Sequence, residues 1–168
     1  MTVEVLAAAA EDMRALGARL AALLRAGDLV LLSGALGSGK TTLAQGLGVG
    51  LGVRGPVTSP TFVIARVHPS TVGGPPMVHV DAYRLSGWDE LEDLDLEASL
   101  DDAVTVVEWG SGLAEGLAED RLELTIVRAE ATTAEPSGAD PRRVVVRGCG
   151  RRWAGVGLGV LRGRPAGV

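Results

Sequence analysis

Apolar and polar positions along the chain alternate between two patterns. From Glu11 to Arg25 the apolar residues Met13, Leu16, Leu20, Leu23 and Leu24 recur at helical spacing, which predicts an amphipathic helix. Gly27-Asp28 ends it, and Leu29 to Leu32 follows as a short unbroken apolar run, the pattern of a strand buried on both faces. Thr42 to Leu51 reads as a helix that stops near Gly52. Gly55-Pro56 and Ser59-Pro60 flank a loop, Phe62 to Val67 reads as extended, and Pro69 to Pro76 is a turn-rich connector. Met77 to Val80 is another apolar run, closed by Asp81. Trp88 to Leu100 predicts one or two acidic helical turns, and Val104 to Val107 a further strand ending in Glu108-Trp109-Gly110. Arg121 to Val127 and Arg142 to Arg147 read as late strands around a polar loop, Ala129 to Pro141, expected to be mobile. Gly150 to Val160 reads as a terminal helix weakened by Gly155, Gly157 and Gly159.

Strands alternating with helices predict an α/β sandwich on a largely parallel central sheet. The 168 residues suit a single domain with a real core, and they contain no internal repeat. The motif-bearing part runs from about residue 11 to 147, leaving 148–168 as a C-terminal extension. No apolar run approaches the roughly 20 residues of a membrane span. The stretch from Met1 to Glu11 has no basic residues before its alanines, so no signal peptide is expected. The single Cys149 suits a reducing cytoplasm, and it reads either as a small packing residue or as a nucleophile.

A net charge of −5 argues against a protein that coats nucleic acid with its whole surface. The charge is uneven. Asp89 to Asp102 carries eight acids and no base, and Arg142 to Arg164 carries seven arginines and no acid. Each run is either a solvated face or a docking surface, the acids for a basic partner and the arginines for an anionic one.

Between the first strand and the second helix lies Gly34-Ala35-Leu36-Gly37-Ser38-Gly39-Lys40-Thr41, which matches G-x-x-x-x-G-K-[ST] at every defined position. Lys40 is the only lysine of the chain; every other basic side chain is arginine. A compact ammonium on a flexible stem reaches between β- and γ-phosphate oxygens, which a planar guanidinium does less well. Gly34, Gly37 and Gly39 let the backbone curl into a nest of N–H donors to which Leu36 and Ser38 belong, and the helix beginning near Lys40 turns its positive end to the anion. Thr41 has the position of a Mg²⁺ ligand, with Thr42 beside it for an α-phosphate oxygen or as a second candidate. This strand–glycine loop–helix unit places the fold among the P-loop NTPases.

Such a site also needs an acid at the end of a neighbouring strand, to hold Mg²⁺ directly or through water or to orient the attacking group. Asp81 and Glu108 both follow apolar runs, and parallel strands bring their carboxyl ends to the edge that carries the glycine loop. A carboxylate in either position could instead cap the next element. The chain has no asparagine and its one lysine is already committed, which removes the usual guanine-reading motif and favours ATP over GTP.

The combination resembles the bacterial TsaE (YjeE) family, small ATPases of tRNA threonylcarbamoyladenosine synthesis. The resemblance covers about Glu11 to Arg147. It rests on the glycine loop through Thr42, Thr58-Ser59-Pro60-Thr61-Phe62, His79-Val80-Asp81-Ala82-Tyr83-Arg84-Leu85 and Val107-Glu108-Trp109. It implies that Ser59-Pro60-Thr61 is a switch loop near the γ-phosphate, with Thr61 among the catalytic residues beside Lys40, Asp81 and Glu108. It further implies that Glu108 joins Thr41 at the Mg²⁺ site. Trp109 matches an aromatic that follows the acid, and simple packing would also account for it. The implied partners are TsaD-like and TsaB-like proteins, which with tRNA transfer a threonylcarbamoyl group to adenosine 37. The implied role is a cytoplasmic ATPase that resets this transferase between turnovers. A small-molecule kinase on the same loop and a nucleotide-sensing adaptor without turnover are the alternatives. Ala7 to Ala10 depart from the family, which often carries polar residues there near the adenine, so no base-contacting residue is assigned.

Overall fold

In the computed structural model, which describes residues 1–60, 64–128 and 140–163, seven strands form one sheet. They are β1 (Thr2–Ala7), β2 (Leu29–Gly34), β3 (Ala65–His68), β4 (Met77–Asp81), β5 (Val104–Glu108), β6 (Arg121–Arg128) and β7 (Arg142–Cys149). The helices are α1 (Ala10–Ala21), α2 (Lys40–Leu51), and the short α3 (Trp88–Glu92), α4 (Glu97–Leu100) and α5 (Arg151–Ala154). Single 3₁₀ turns span Ala114–Leu117 and Leu158–Arg162.

The strand order is β1-β7-β6-β2-β5-β4-β3. The central strands β6, β2, β5 and β4 are mutually parallel, and antiparallel strands close both sides, β7 and β1 at one edge and β3 at the other. The continuous apolar run of β2 is explained by its central place. Val30 and Leu32 point into the cluster under α1 and α2, while Leu29 and Leu31 point into the opposite cluster with Leu91, Leu96 and Leu100. Full burial of such a side chain contributes roughly 1.5–3 kcal/mol, and no polar face is needed when both sides are covered.

Strand β1 is an element the sequence reading passed over. It buries Val3, Val5 and Ala7 and turns Thr2, Glu4 and Leu6 to solvent, the period of a half-covered strand. Its place is fixed by β7, whose register runs from Thr2↔Arg147 to Ala7↔Arg142. Helix α1 starts one residue before the expected position and ends at Ala21, short of Arg25. Leu23 and Leu24 continue the pattern as tight turns bonded to the carbonyls of Leu20 and Ala21, and they still pack on the core. Asp12 holds the start of the helix by accepting from the N–H groups of Ala8 and Ala9, both at 3.0 Å.

Helices α1 and α2 approach closely because glycine lines the contact. A Cβ on Gly17 would strike the Leu43 carbonyl, and one on Gly46 the carbonyl of Arg14. Beyond β7 the expected terminal helix is only the single turn α5 and a 3₁₀ turn, because Gly155, Gly157 and Gly159 interrupt it. Trp153, Leu158 and Leu161 are nevertheless fully buried in the main cluster. Not all of the basic run is a surface: Arg152 pairs with the buried Asp28 at 3.0 Å and donates to the Leu23 carbonyl. Cys149 ends β7, half-buried and free. The acidic run forms α3 and α4 with Leu91, Leu96 and Leu100 inward and its carboxylates mostly in solvent. Thr61, Phe62 and nearly all of the Ala129–Pro141 loop lie outside the described residues.

Candidate functional site

The carboxyl ends of β2, β4 and β5 lie side by side, so the sheet delivers the phosphate-type loop and two acids to one edge. Strand β2 ends in Gly34, residues 35–39 form the loop, and α2 begins at Lys40. Gly34, Gly37 and Gly39 have φ of +153°, +75° and +106°. A side chain is unfavourable in such conformations, and a Cβ on Gly34 would also meet the Ile126 carbonyl.

Lys40 is buried, and its Nζ donates to the carbonyls of Gly34 and Ala35 at 2.8 and 3.0 Å. The same ammonium lies 3.8 Å from the centre of the Trp109 ring. Burial pushes its pKa below the usual lysine value, against the opposing pull of Glu108 and Asp81.

The acids come from adjacent parallel strands in register, Asp81 opposite Glu108. Both are buried. Thr41 Oγ1 lies 3.1 Å from Glu108 Oε1 and 3.3 Å from Oε2. Asp81 accepts from the Tyr83 N–H at 2.9 Å and from the Ser59 hydroxyl at 3.4 Å. Trp109 has a positive φ of 62°, and its N–H bonds back to the Leu32 carbonyl at 2.9 Å. Its ring stands 5.0 Å from that of Tyr83. Holding a bulky residue in this left-handed conformation costs on the order of 1–3 kcal/mol, of the kind found where function overdetermines geometry.

These groups enclose a cavity of about 400 Å³ lined by Leu36, Gly37, Lys40, Thr41, Asp81 and Glu108, with Ser59 and Trp109 also in its wall. Across the Tyr83–Trp109 pair lies a second space of about 330 Å³ with Ser111 and Leu113 in its wall. On the other flank of the loop, a cavity of about 120 Å³ is lined by Ala9, Met13, Ser38, Thr42, Asp140 and Arg142. The Ser38 hydroxyl is buried and has no hydrogen-bond partner among the described residues.

The structure therefore brings together Lys40, Thr41, Asp81 and Glu108, and it sets Thr42 and Ser38 on the far flank of the same loop. Thr61 lies outside the described residues. Sequence reasoning missed two contributors. Arg142 reaches from β7 to the loop, donating to the Ser38 carbonyl at 3.2 Å and pairing with Asp140. Nothing in the sequence distinguishes it from the other late arginines. His79, adjoining Glu108 at 2.7 Å, was visible only as part of a motif.

Among the described residues no helix is long and apolar enough to cross a membrane. A family model, Threonylcarbamoyl adenosine biosynthesis protein TsaE, matches residues 7–135. The tRNA threonylcarbamoyladenosine biosynthesis protein TsaE of Streptomyces coelicolor is 66% identical over 152 residues, covering 90% of this chain and 100% of that protein. The protein of the same name from Bacillus subtilis is 36% identical over 144 residues, 85% of this chain and 84% of the relative. Among solved structures, the crystal structure of YdiB from Bacillus subtilis superposes with a TM-score of 0.70 at 29% identity, covering 91% of this chain and 89% of that one. With its glycine loop, its two strand-end acids and these relatives, the chain belongs to the TsaE family of threonylcarbamoyl adenosine biosynthesis proteins.

Proposed function

We propose that this chain binds Mg-ATP and hydrolyses it as the ATPase component of the tRNA N6-threonylcarbamoyladenosine machinery. In that role it resets a TsaD–TsaB-like transferase in the cytoplasm between turnovers. The observation that supports this reading is the convergence of Lys40, Thr41, Asp81 and Glu108 on one cavity at the loop edge of the sheet.

The polyphosphate lies along the N–H groups of residues 34–41, with the positive end of α2 behind it. Lys40 exchanges its bonds to Gly34 and Ala35 for β- and γ-oxygens. Thr41 and Glu108 offer only oxygen donors, a set that suits a hard cation completing its shell with phosphate and water. Thr41 and Glu108 would hold Mg²⁺ there, and the ion would supply charge neutralisation for the phosphates. Asp81, with Ser59 at its side, accepts from and orients the attacking water, and Thr61 completes the switch segment. The nucleoside occupies the cavity beside Thr42 and Arg142, where Ala9 and Ala10 supply backbone and apolar surface. Association with tRNA runs through the partner proteins.

The test is phosphate release from Mg-ATP by the chain alone and then with TsaD-like and TsaB-like proteins and tRNA. Strong stimulation by the assembly, abolished by Lys40→Ala, is the expected result. A second reading, phosphoryl transfer to a small hydroxyl acceptor, draws on the space across Tyr83 and Trp109. Turnover that ignores the assembly but rises with an acceptor would favour it. Binding without turnover in every mixture would leave a nucleotide-sensing adaptor.

A further inference from the structure

The chain has two histidines, and both are buried on adjacent strands, His79 fully and His68 nearly so. Their ring centres are 6.4 Å apart. His79 stands two residues before Asp81 on β4, so it points to the same face of the sheet as that acid. The register that sets Asp81 opposite Glu108 puts His79 opposite Val106, two residues deeper and diagonally across from Glu108. There its Nε2 lies 2.7 Å from Glu108 Oε1, with both side chains almost completely shielded from solvent.

We propose that His79 is a positioning residue for Glu108: its Nε2–H donates to Oε1 and fixes the carboxylate against Thr41 at the metal side of the cavity. The inference rests on the reading of Glu108 as a metal-side acid. A glutamate side chain loses rotamer freedom when it is fixed, and a donor already in place removes that cost from metal binding. Two groups hold the carboxylate, since Oε1 is also 3.1 Å from Thr41 Oγ1. The carboxylate can only accept, so the imidazole must donate through Nε2.

The other side of the ring supports the same conclusion. His79 Nδ1 is buried without a hydrogen-bond partner among the described residues, as is His68 Nε2. An apolar residue at this position would leave no such atom unsatisfied, and unsatisfied buried polar atoms are costly. The Nε2 contact is what an imidazole provides here and a leucine cannot. Partners of this kind behind a ligating side chain change metal affinity or activity by about 10–100-fold when removed.

The test compares wild type, His79→Leu and His79→Gln by calorimetric titration with ATP in EDTA and in Mg²⁺, and by the Mg²⁺ dependence of turnover. The expected result is that His79→Leu binds ATP in EDTA within about twofold of wild type but needs about 10–100-fold more Mg²⁺. His79→Gln, which keeps an N–H donor, recovers most of the loss. A wild-type Mg²⁺ requirement in His79→Leu overturns the proposal, as does an equal loss in both variants that extends to EDTA. Nitrogen NMR of wild type gives a reading independent of variant folding: a proton on Nε2 is expected, and a neutral ring protonated on Nδ1 overturns the assignment. Failure of wild type to bind Mg-ATP would overturn the proposed function itself, whereas wild-type binding with an indifferent His79→Leu overturns this inference alone.

Discussion

The Lys40 ammonium rests 3.8 Å above the Trp109 ring while it donates to two carbonyls of its own loop. The cation is thus stabilised by the protein on three sides, and it is still held below its ordinary pKa because burial outweighs Glu108 and Asp81. A group depressed in this way binds its proton less readily when folded than when unfolded. Stability therefore rises as pH climbs from the folded pKa to the unfolded one, and the charged form carries a penalty below both. Lys40→Ala is expected to abolish ATP binding without lowering the thermal midpoint at neutral pH. Calorimetric titration beside a melting curve checks this; a large drop in midpoint would make the lysine a structural residue.

Glu108→Gln keeps the shape of the side chain and removes its charge. It is expected to cut Mg²⁺-dependent hydrolysis by roughly 10²-fold, a loss of about 3 kcal/mol in the barrier. Single-turnover measurements with and without added Mg²⁺ check it. Normal hydrolysis would transfer the metal role to Asp81.

His68, beside His79 on the neighbouring strand, gives a second pH signature. Burial lowers its pKa, partly offset by a bond to the Arg54 backbone, with the neighbouring His79 lowering it further. The unfolded chain then takes up a proton near pH 6.5 that the folded chain resists. Stability is expected to fall as pH drops below that value, and His68→Asn should flatten the slope. Urea melts of both proteins from neutral to mildly acid pH measure it.

Arg152 and Asp28 pin the end of the chain to the turn before β2. Arg152→Ala leaves the buried Asp28 without its counter-charge and with the Arg25 N–H as its remaining donor, which is expected to destabilise the fold by about 3 kcal/mol. Gly46→Ala, whose new methyl would strike the Arg14 carbonyl, is expected to cost about 1–3 kcal/mol by forcing α1 and α2 apart. Denaturant midpoints test both. Unchanged values would mean that the turn or the helices relax freely.

Much of the site was legible because its chemistry is written in local sequence. The glycine loop, Lys40 and Thr41 are contiguous, and Asp81 and Glu108 stand at the ends of apolar runs that only a central parallel sheet explains. What escaped depends on pairing across distance. Strand β1 becomes a strand by lying against β7, more than a hundred residues away. Arg142 becomes a loop contact through that same edge of the sheet, and no periodicity announces it. The terminal helix, read as weakened by its three glycines, is shorter still: only one turn forms before Gly155, and the remainder is a 3₁₀ turn. The acidic run offers no second observation in favour of docking, and its buried leucines account for its spacing.

Glu108 ends β5, a bonded neighbour of β2, and Thr41 sits in the first turn of α2 just past the loop that follows β2, so both are anchored in regular structure. Ser59 lies between α2 and β3, outside any helix or strand, and reaches the site through its bond to Asp81. On the proposed ATPase reading, grip and turnover thus rest on different parts of the fold. Under the proposed function, a push on the Ser59 segment is therefore expected to change the rate at which nucleotide is spent more than the tightness with which it is held.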